Sequence, residues 1–238
     1  MKKGIALLAV LLAVNVWADE QQQPNQPKKV PVKIGQTYIP GGFDSNDPTQ
    51  LVVEGYFPNS CYRIDGYTRE VDAASQKVTI TQSALKYKGQ CLMMLVPFWQ
   101  TVKVGLLKAN NYKVVDGSSG EEIGEMPVRV ASSAEPDDFT YATVTDAYVG
   151  LVDGNKRAII IEGELPGDCY TIKEKRVILD SKNVIAVLQI IEKQAGRRCN
   201  SYRLPFMTTA ELPTAPAGRY LLHVRSLSGN AINKLVDL

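Results

Sequence analysis

The four cysteines of this chain form two pairs with the same internal spacing, and this spacing constrains the fold more than any other feature. Cys61 and Cys91 are 30 positions apart, and Cys169 and Cys199 repeat that spacing 108 positions later. At this offset the segment VVEGYFPNSCY, which ends one residue after Cys61, lies over IIEGELPGDCY, which ends one residue after Cys169. Self-similarity at a fixed offset is typical of a tandem duplication of one structural unit.

The repeat continues in an ungapped alignment to the last residue, and it places Tyr112 over Tyr220. We therefore divide the chain into a first repeat, 31–130, and a second repeat, 141–238. The segment between them, 131–140, is short and polar and is predicted to be a linker. We expect the two repeats to superpose strand for strand.

The N-terminus has the three parts of a secretory signal peptide. Lys2 and Lys3 precede an apolar run over 5–14, and the small residues Val16 and Ala18 stand at the −3 and −1 positions of a cleavage site. The apolar run is too short to cross a bilayer as a helix, which needs about 20 residues. An uncleaved membrane anchor is the alternative. We predict cleavage after Ala18 and a periplasmic or secreted product.

The remainder of the chain is close to neutral and has no second membrane segment. Removal of the signal peptide, 1–18, leaves 25 of the 27 basic residues against 25 acidic residues. This balance argues against a general nucleic-acid-binding protein. The apolar segment 184–191 is interrupted by Gln189 and is predicted to be a buried strand. The Gln- and Pro-rich segment 19–30 is predicted to be a disordered tail.

An even number of cysteines in an exported chain favours disulfides over a metal site. None of the four stands in a C-x-x-C arrangement, which is typical of redox and zinc sites. Each repeat holds one pair at equivalent positions, so the simplest pairing joins Cys61 to Cys91 and Cys169 to Cys199.

Short apolar or alternating runs, separated by turn residues, fill both repeats. Examples are KVTIT over 77–81 and RYLLHV over 219–224, and neither repeat contains an amphipathic helical pattern of ten or more residues. About seven short strands in about a hundred residues, closed by one disulfide, are typical of an immunoglobulin-like sandwich. We predict an all-β fold of two tandem disulfide-stapled immunoglobulin-like β-sandwich domains.

Several local motifs occur in both repeats. They are Phe57-Pro58, Cys61-Tyr62, Cys91 and Pro97-Phe98, then Leu165-Pro166, Cys169-Tyr170, Cys199, Pro205-Phe206 and Gly218-Arg219-Tyr220. The first repeat departs at the last motif, where it has Asn110-Asn111-Tyr112. This combination resembles an immunoglobulin-like module of exported bacterial proteins. The resemblance implies a β-sandwich and an exported setting, and it implies no activity.

Three patterns known from enzymes lack the partners that catalysis requires. Ser83 and Lys86 spell S-x-x-K, but the K-T-G and S-D-N motifs of penicillin-binding enzymes do not accompany them. His223 is the only histidine, and the chain has no G-x-S-x-G nucleophile motif. Glu54 and Glu162 belong to different repeats, whereas glycosidases hold two carboxyl groups about 5–10 Å apart. We predict no catalytic residues and no cofactor.

A single histidine and four paired cysteines argue against zinc. Asp44, Asn46 and Asp47 form an oxygen-rich segment that resembles a calcium loop. Asx-rich segments also form turns for purely conformational reasons, and the second repeat has only Asp153-Gly154-Asn155 at a comparable place. We predict no metal and keep calcium at this segment as an alternative.

Basic residues are concentrated around the cysteines of the second repeat. The predicted anionic-partner face consists of Lys173, Lys175, Arg176, Arg197, Arg198 and Arg203. In the first repeat, Gly89-Gln90 stands where the second has Arg197-Arg198. Such a face suits an acidic protein or an anionic envelope polymer. A solvated hairpin surface is the alternative.

Together these features predict a non-enzymatic binding or structural module of the bacterial cell envelope, with an unknown envelope protein or an anionic polymer as its partner. One alternative is an envelope hydrolase or its regulatory domain. A second alternative is an adhesin or pilus-like assembly subunit, which would self-associate.

The charge asymmetry between the repeats generates one prediction. Arg197→Ser with Arg198→Ser should weaken binding to anionic envelope material at low salt, because two cations leave the predicted face. The difference from the unchanged protein should shrink at physiological salt, where screening limits the field to roughly 8 Å. Binding measured at both salt concentrations tests this, and equal binding of the two proteins would mean that the face is merely solvated.

Overall fold

A computed structural model describes residues 26–135 and 137–238, and every regular element in them is a β-strand. The predicted signal peptide, 1–18, lies outside the described residues, as does the first part of the predicted tail, 19–25. In the part of the chain that is described, no helix has the length and apolar character of a membrane span. The prediction of an all-β fold is confirmed.

The first repeat forms a sandwich of two sheets, which we call domain 1. Its strands are β1 (Lys28–Val32), β2 (Gln36–Tyr38), β3 (Thr49–Phe57), β4 (Tyr62–Asp72), β5 (Lys77–Lys86), β6 (Val96–Gly105), β7 (Asn110–Asp116) and β8 (Glu122–Val128). Strands β2, β3 and β6 form the smaller sheet. In the larger sheet β5 pairs with β4 along one edge and with β1 and β7 along the other, and β8 follows β7.

The second repeat forms domain 2 in the same way. Its strands are β9 (Thr143–Val152), β10 (Lys156–Leu165), β11 (Tyr170–Leu179), β12 (Val184–Lys193), β13 (Leu204–Glu211), β14 (Arg219–Arg225) and β15 (Ala231–Asp237). The sheets have the orders β13-β10-β9 and β11-β12-β14-β15. The pairs β5–β7 and β12–β14 are parallel, and the other strand pairs within the described residues are antiparallel. The predicted fold class, two tandem β-sandwiches, is confirmed.

Strands β3 to β8 recur as β10 to β15 at an offset of about 108 residues, but the ungapped alignment is wrong in detail. Val78 and Ile185 hold equivalent core positions in β5 and β12 and are 107 positions apart. Met126 and Val236 pair with the buried tyrosines of β7 and β14 and are 110 positions apart. Hairpins of different length in the two domains account for these shifts. A strand that kept the ungapped register would be displaced by one residue, and each of its side chains would then face the opposite side of the sheet.

The Glu-Gly and Pro-Phe motifs recur because they pack on each other. A Cβ atom at Gly55 would lie 2.6 Å from the Phe98 ring, and one at Gly163 would lie 2.7 Å from the Phe206 ring. Neither position has room for a side chain, since the phenylalanine ring lies directly on the glycine backbone. The repeated motifs therefore pack β3 against β6 in domain 1 and β10 against β13 in domain 2.

Both predicted disulfides are formed. Cys61 is joined to Cys91 with a Cα–Cα distance of 5.4 Å, and Cys169 to Cys199 with a distance of 5.1 Å. Each bond ties the connection after the central strand of the smaller sheet, β3 or β10, to the loop before the last strand of that sheet, β6 or β13. Each disulfide thus closes one end of its sandwich.

The predicted tail is partly a strand. Within the segment 19–30, the residues from Lys28 onward belong to β1, which pairs with the end of β5. Val30 and Val32 pack against the buried cluster that contains Phe57. The composition of the segment predicted disorder because it has few apolar residues, yet a free edge of β5 supplies backbone partners that the sequence does not reveal.

The smaller sheet of domain 1 packs face to face on the larger sheet of domain 2. Tyr38 and Val52 from domain 1 form one buried cluster with Val184 and Leu221 from domain 2, and Leu235 packs against it. At one edge of this interface Gly229 approaches Pro48 so closely that a Cβ atom would lie 2.4 Å from its ring. The two domains are thus joined by a continuous apolar contact.

A chain of polar contacts runs along the same interface. The guanidinium of Arg219 forms an ion pair with Glu54, which also accepts a 2.9 Å hydrogen bond from the Tyr38 hydroxyl. Arg219 is held from its other side by Asp237, 2.9 Å away. This network raises the pKa of the Tyr38 hydroxyl, mainly through burial and then through the hydrogen bond to Glu54.

The most buried ion pair joins Arg225 of domain 2 to Asp47 of domain 1. The distance from Nη2 to Oδ1 is 2.7 Å, and the two side chains are 9% and 3% exposed. A second carboxylate, Asp137, lies 3.8 Å from the same guanidinium. Burial raises the pKa of the Asp47 carboxyl, and the hydrogen bond from Arg225 opposes that shift.

The predicted linker 131–140 is held against both domains. Asn46 donates hydrogen bonds to the carbonyl oxygens of Ser133 and Glu135, at 2.9 and 2.8 Å. The Asp137 carboxylate accepts the backbone N–H groups of Ser228 and Gly229, at 2.7 and 2.9 Å. These bonds fix the connection between the domains in one conformation.

The domains are stacked in opposite directions. Along the interface Arg219 meets Glu54 and Arg225 meets Asp47, so β14 runs antiparallel to β3. Strand β3 leads to Cys61, whereas β12 runs parallel to β14 and leads towards Cys199. The two disulfide-closed ends therefore point away from each other.

The buried ion pair generates a prediction about stability. Asp47→Asn should lower the free energy of unfolding by about 3 kcal/mol, because it leaves a buried guanidinium without its closest counter-charge. Chemical denaturation should show this loss, and domain 2 should then become separable from domain 1 in the unfolding curve.

The control is Glu122→Gln, which breaks the exposed ion pair between Lys113 and Glu122. Exposed pairs contribute little, so this variant should unfold at nearly the same denaturant concentration as the unchanged protein. Equal stability of both variants would contradict the role given to Asp47.

Candidate binding surface

The predicted anionic-partner face is spread over three segments of domain 2, and most of its cations have partners. Ion pairs join Lys173 to Glu192, Arg176 to Glu174 and Arg203 to Glu164, at 3.0, 2.6 and 3.0 Å. Lys175 donates to Thr208 and Thr209 of β13, and Arg197 donates to the Gln194 amide oxygen at 3.0 Å. The acids that neutralise these residues were visible in the sequence, but their pairing was not. Docking of an anionic partner here stays a prediction.

The segment considered for calcium supports the domain interface. One oxygen of Asp47 binds Arg225, and the other accepts the backbone N–H of Asp44 at 3.2 Å. Asp44 in turn accepts the backbone N–H of Asn46, as in an Asx turn. Among the described residues there is no cluster of three or more histidine, cysteine or acidic side chains arranged to hold a metal.

The residues of the enzyme-like patterns are separated or engaged elsewhere. Ser83 and Lys86 lie three apart on β5, so they face opposite sides of the sheet, and Lys86 lies over the Tyr62 ring. Glu54 lies in the domain interface, and Glu162 accepts a hydrogen bond from Tyr148 at 3.2 Å. The glutamate recurs in both repeats because in each it accepts a hydrogen bond from a tyrosine, Tyr38 for Glu54 and Tyr148 for Glu162.

His223 is buried in the interface. Its Nδ1 lies 2.7 Å from the Asn233 amide oxygen, and Asn233 donates to the Gln50 amide oxygen of domain 1 at 2.9 Å. Burial lowers the pKa of His223 to about 4, although the bond to Asn233 opposes this shift. The imidazole is therefore neutral at physiological pH, and it links the domains through an amide chain.

A crevice of about 350 Å³ lies between the linker and the outer face of the larger sheet of domain 2. Phe139, Tyr141 and Leu188 supply apolar walls, and His223 and Arg225 lie at its floor. The Arg225 guanidinium is already paired with Asp47 and lies over the Tyr141 ring. The positive charge of Arg225 is thus balanced by Asp47 within the fold and is not available to a ligand in the crevice.

The longest run of exposed large apolar residues in the described part of the chain is in domain 1, and the sequence reasoning missed it. Leu92, Met93, Met94 and Leu95, which we call the apolar tip, are 69%, 86%, 53% and 67% exposed. Four large apolar residues in succession directly after Cys91 are the signal that could have revealed it. An exposed contiguous apolar patch marks an interaction site more often than scattered single residues do.

The apolar tip is held in place by covalent and hydrogen bonds. Cys91, directly before it, is joined to Cys61. The Leu92 N–H donates to the Ser60 hydroxyl at 2.9 Å, and the Leu92 carbonyl accepts the Ser60 N–H at 3.1 Å. The Met94 N–H closes a tight turn on the Leu92 carbonyl at 2.9 Å. The side chains are thus exposed from a backbone fixed to the sandwich.

Domain 2 has a polar loop at the equivalent place. Asn200 follows Cys199 as Leu92 follows Cys91, and it donates two hydrogen bonds of 3.1 Å to the Asp168 carboxylate. At the end of this loop Arg203 is paired with Glu164. The equivalent loop of domain 2 is therefore held by polar contacts and lacks the four consecutive apolar residues of domain 1.

The lone histidine generates a prediction about pH. Its imidazole proton resonances should not titrate between pH 8 and pH 5 in the folded protein, and should titrate near pH 6.5 in urea. Since the pKa of His223 is lower in the folded protein than in the unfolded chain, the neutral imidazole contributes its full stabilisation above pH 6.5. This stabilisation is lost as the pH falls towards 4. A fall from pH 7 to pH 5 should therefore reduce the free energy of unfolding by about 2 kcal/mol. A folded-state titration near pH 6.5 would contradict the burial.

Comparison with known proteins adds a family likeness for domain 1. Residues 51–123 match the family model of the ORF11 beta-sandwich domain. The matched segment runs from β3 to the start of β8 and includes the apolar tip. No curated protein and no solved structure shows a significant match to the chain. The likeness thus covers the sandwich that carries the apolar tip, and the name of the family describes a fold and states no activity.

Proposed function

We propose that this protein is a non-enzymatic binding module of the bacterial cell envelope, and that it binds through the apolar tip of domain 1. The N-terminal signal pattern and the two disulfides support an exported setting, because disulfides persist in oxidising compartments. The single observation that carries the binding role is the exposure of Leu92 to Leu95.

The arrangement of the domains supports a role as a rigid support for that tip. Domain 2 covers the outer face of the smaller sheet of domain 1 through the apolar cluster around Tyr38 and Leu221. The ion pairs of Arg219 and Arg225 lie on either side of that cluster. Domain 2 thereby stabilises domain 1 and leaves the end that carries the apolar tip uncovered.

A hydrolase is a weaker interpretation. The residues of the enzyme-like patterns are separated on opposite sheet faces or bonded within the interface. Catalysis by His223 would require an accessible base, whereas the ring is buried and its pKa is lowered. A screen of peptide, glycan and ester substrates would detect such an activity if it existed.

Assembly into a pilus-like fibre is also weaker, because the domain interface does not extend to further copies. Such a fibre would pack the larger sheet of domain 1 on a neighbour as domain 2 packs on domain 1. The positions of Val184, Leu221 and Leu235 in that sheet correspond to Lys77, Lys113 and Glu125 in domain 1. Burial of these charged residues against an apolar surface would be costly, so we expect the protein to be a monomer in solution.

The binding role predicts a loss of envelope association on one double substitution. Leu92→Ser with Met93→Ser should move most of the protein from washed envelope membranes to the supernatant in a sedimentation assay. These side chains are exposed, so the thermal midpoint should stay within a few degrees of that of the unchanged protein.

The matched control is Leu151→Ser with Met207→Ser, which removes two apolar side chains of domain 2 that are 65% and 68% exposed. This variant lowers the hydrophobicity of the surface by a similar amount but leaves the apolar tip intact. It should therefore sediment like the unchanged protein. Equal sedimentation of all three proteins would refute the proposed binding role of the apolar tip.

A further inference from the structure

We infer that the apolar tip docks on the surface of an anionic phospholipid bilayer. This inference rests on the proposed function, since it requires that the protein reach the envelope. It goes beyond that function by naming the partner as lipid. Three features of the same end of domain 1 support it: the apolar side chains, a collar of cations and a flanking tyrosine.

The apolar tip has the shape of an interfacial anchor. Met93 is the most exposed residue, and Leu92 and Leu95 on either side are exposed by more than half. The tight turn between Leu92 and Met94 projects these side chains from the closed end of the sandwich. Since the disulfide at Cys91 fixes the backbone, insertion would not have to order a flexible loop.

Cations lie at the same end of domain 1 as the apolar tip. Lys28 of β1 and Tyr62 of β4 are both paired with Lys86 at the end of β5, so the ends of these strands lie together. The basic collar consists of Lys28, Lys29, Arg63, Lys86 and Lys88, all of them exposed. The acidic residue in this group is Asp65, which is paired with Lys29 at 2.7 Å. Charge complementarity therefore favours an anionic surface.

An aromatic residue completes the pattern. Tyr87 precedes Cys91 in the same loop and is 42% exposed, and its N–H donates to the Cys61 carbonyl at 2.9 Å. Trp99 of β6 is paired with Glu54, so it lies beside the domain interface and is not part of this pattern. Tyrosine and tryptophan are enriched at the level of the lipid headgroups, where one part of the ring is in water.

The combination favours lipid over a protein groove. Lysine is depleted in the cores of protein interfaces, whereas lysine next to leucine and aromatic residues is typical of interfacial membrane anchors. Domain 2 provides an internal contrast, because the same sandwich end there has Asn200 to Arg203 in place of the apolar residues. One repeat has thus acquired the anchor and the other has not.

The experiment is co-sedimentation of the mature protein with vesicles of phosphatidylglycerol and phosphatidylcholine, and with vesicles of phosphatidylcholine alone. The unchanged protein should bind the anionic vesicles about tenfold or more strongly than the neutral ones, and added salt should weaken the binding. Leu92→Ser with Met93→Ser should reduce binding to the anionic vesicles about tenfold or more.

Two further variants separate the contributions. Lys86→Gln with Lys88→Gln should reduce binding to the anionic vesicles and its salt dependence, because two cations leave the basic collar. Leu151→Ser with Met207→Ser should bind as the unchanged protein does. If the double substitution destabilised the fold, the single substitution Met93→Ser, at a residue that is 86% exposed, would still test the contact.

The outcomes distinguish this inference from the proposed function. Absence of vesicle binding, with tip-dependent sedimentation on envelope membranes, would overturn the lipid partner and identify a protein partner at the same site. Absence of both would overturn the proposed function as well. Vesicle binding that is insensitive to the tip substitutions would place the contact on another surface and would also overturn the inference.

Discussion

The ion pair between Arg225 and Asp47 is the contact on which the arrangement of the two domains depends. A buried guanidinium is costly unless its charge and its N–H groups are matched, and here Asp47 and then Asp137 supply the match. Asp47 lies in the segment that precedes β3, and Asp137 lies in the linker. One cation thus joins both domains and their connection, and only one relative orientation satisfies it.

Duplication has given the two domains the same skeleton and different surroundings. Tyr38 and Tyr148 both bond to a glutamate on the adjacent strand. In domain 1 this pair is covered by Arg219, whereas in domain 2 the tyrosine lies beside Lys234, on the edge of the sandwich. The same motif therefore supports an interface in one copy and a solvated surface in the other, which is how a repeat gains an asymmetric function without a change of fold.

The cysteine spacing and the alternating runs were sufficient to predict the sandwiches and the disulfides, because both depend on local periodicity and on equivalence between the repeats. The one-residue shift at Ile185 was not predictable, since hairpin length is set by turn geometry and not by the cysteines. The strand at Lys28 was missed because its stability comes from the edge of β5. The domain interface was missed because its apolar residues, such as Val52 and Leu221, cannot be told from core residues of a strand in the sequence. Its polar residues, such as Asn233, resemble surface residues. The apolar tip was visible as four consecutive residues, but a short apolar run without periodicity does not by itself distinguish an exposed loop from a buried strand.

The antiparallel stacking of the domains limits how the two candidate surfaces can cooperate. Cys91 and the apolar tip lie at one end of the molecule, and the loop with Arg197 and Arg198 lies near Cys199 at the other. A single flat surface cannot touch both ends of a rigid body at once, so the two surfaces cannot add their affinities as avidity on one membrane. If each end has a partner, the protein acts as a spacer of fixed length between two separate structures. Binding of one partner then leaves the affinity of the protein for the other partner unchanged.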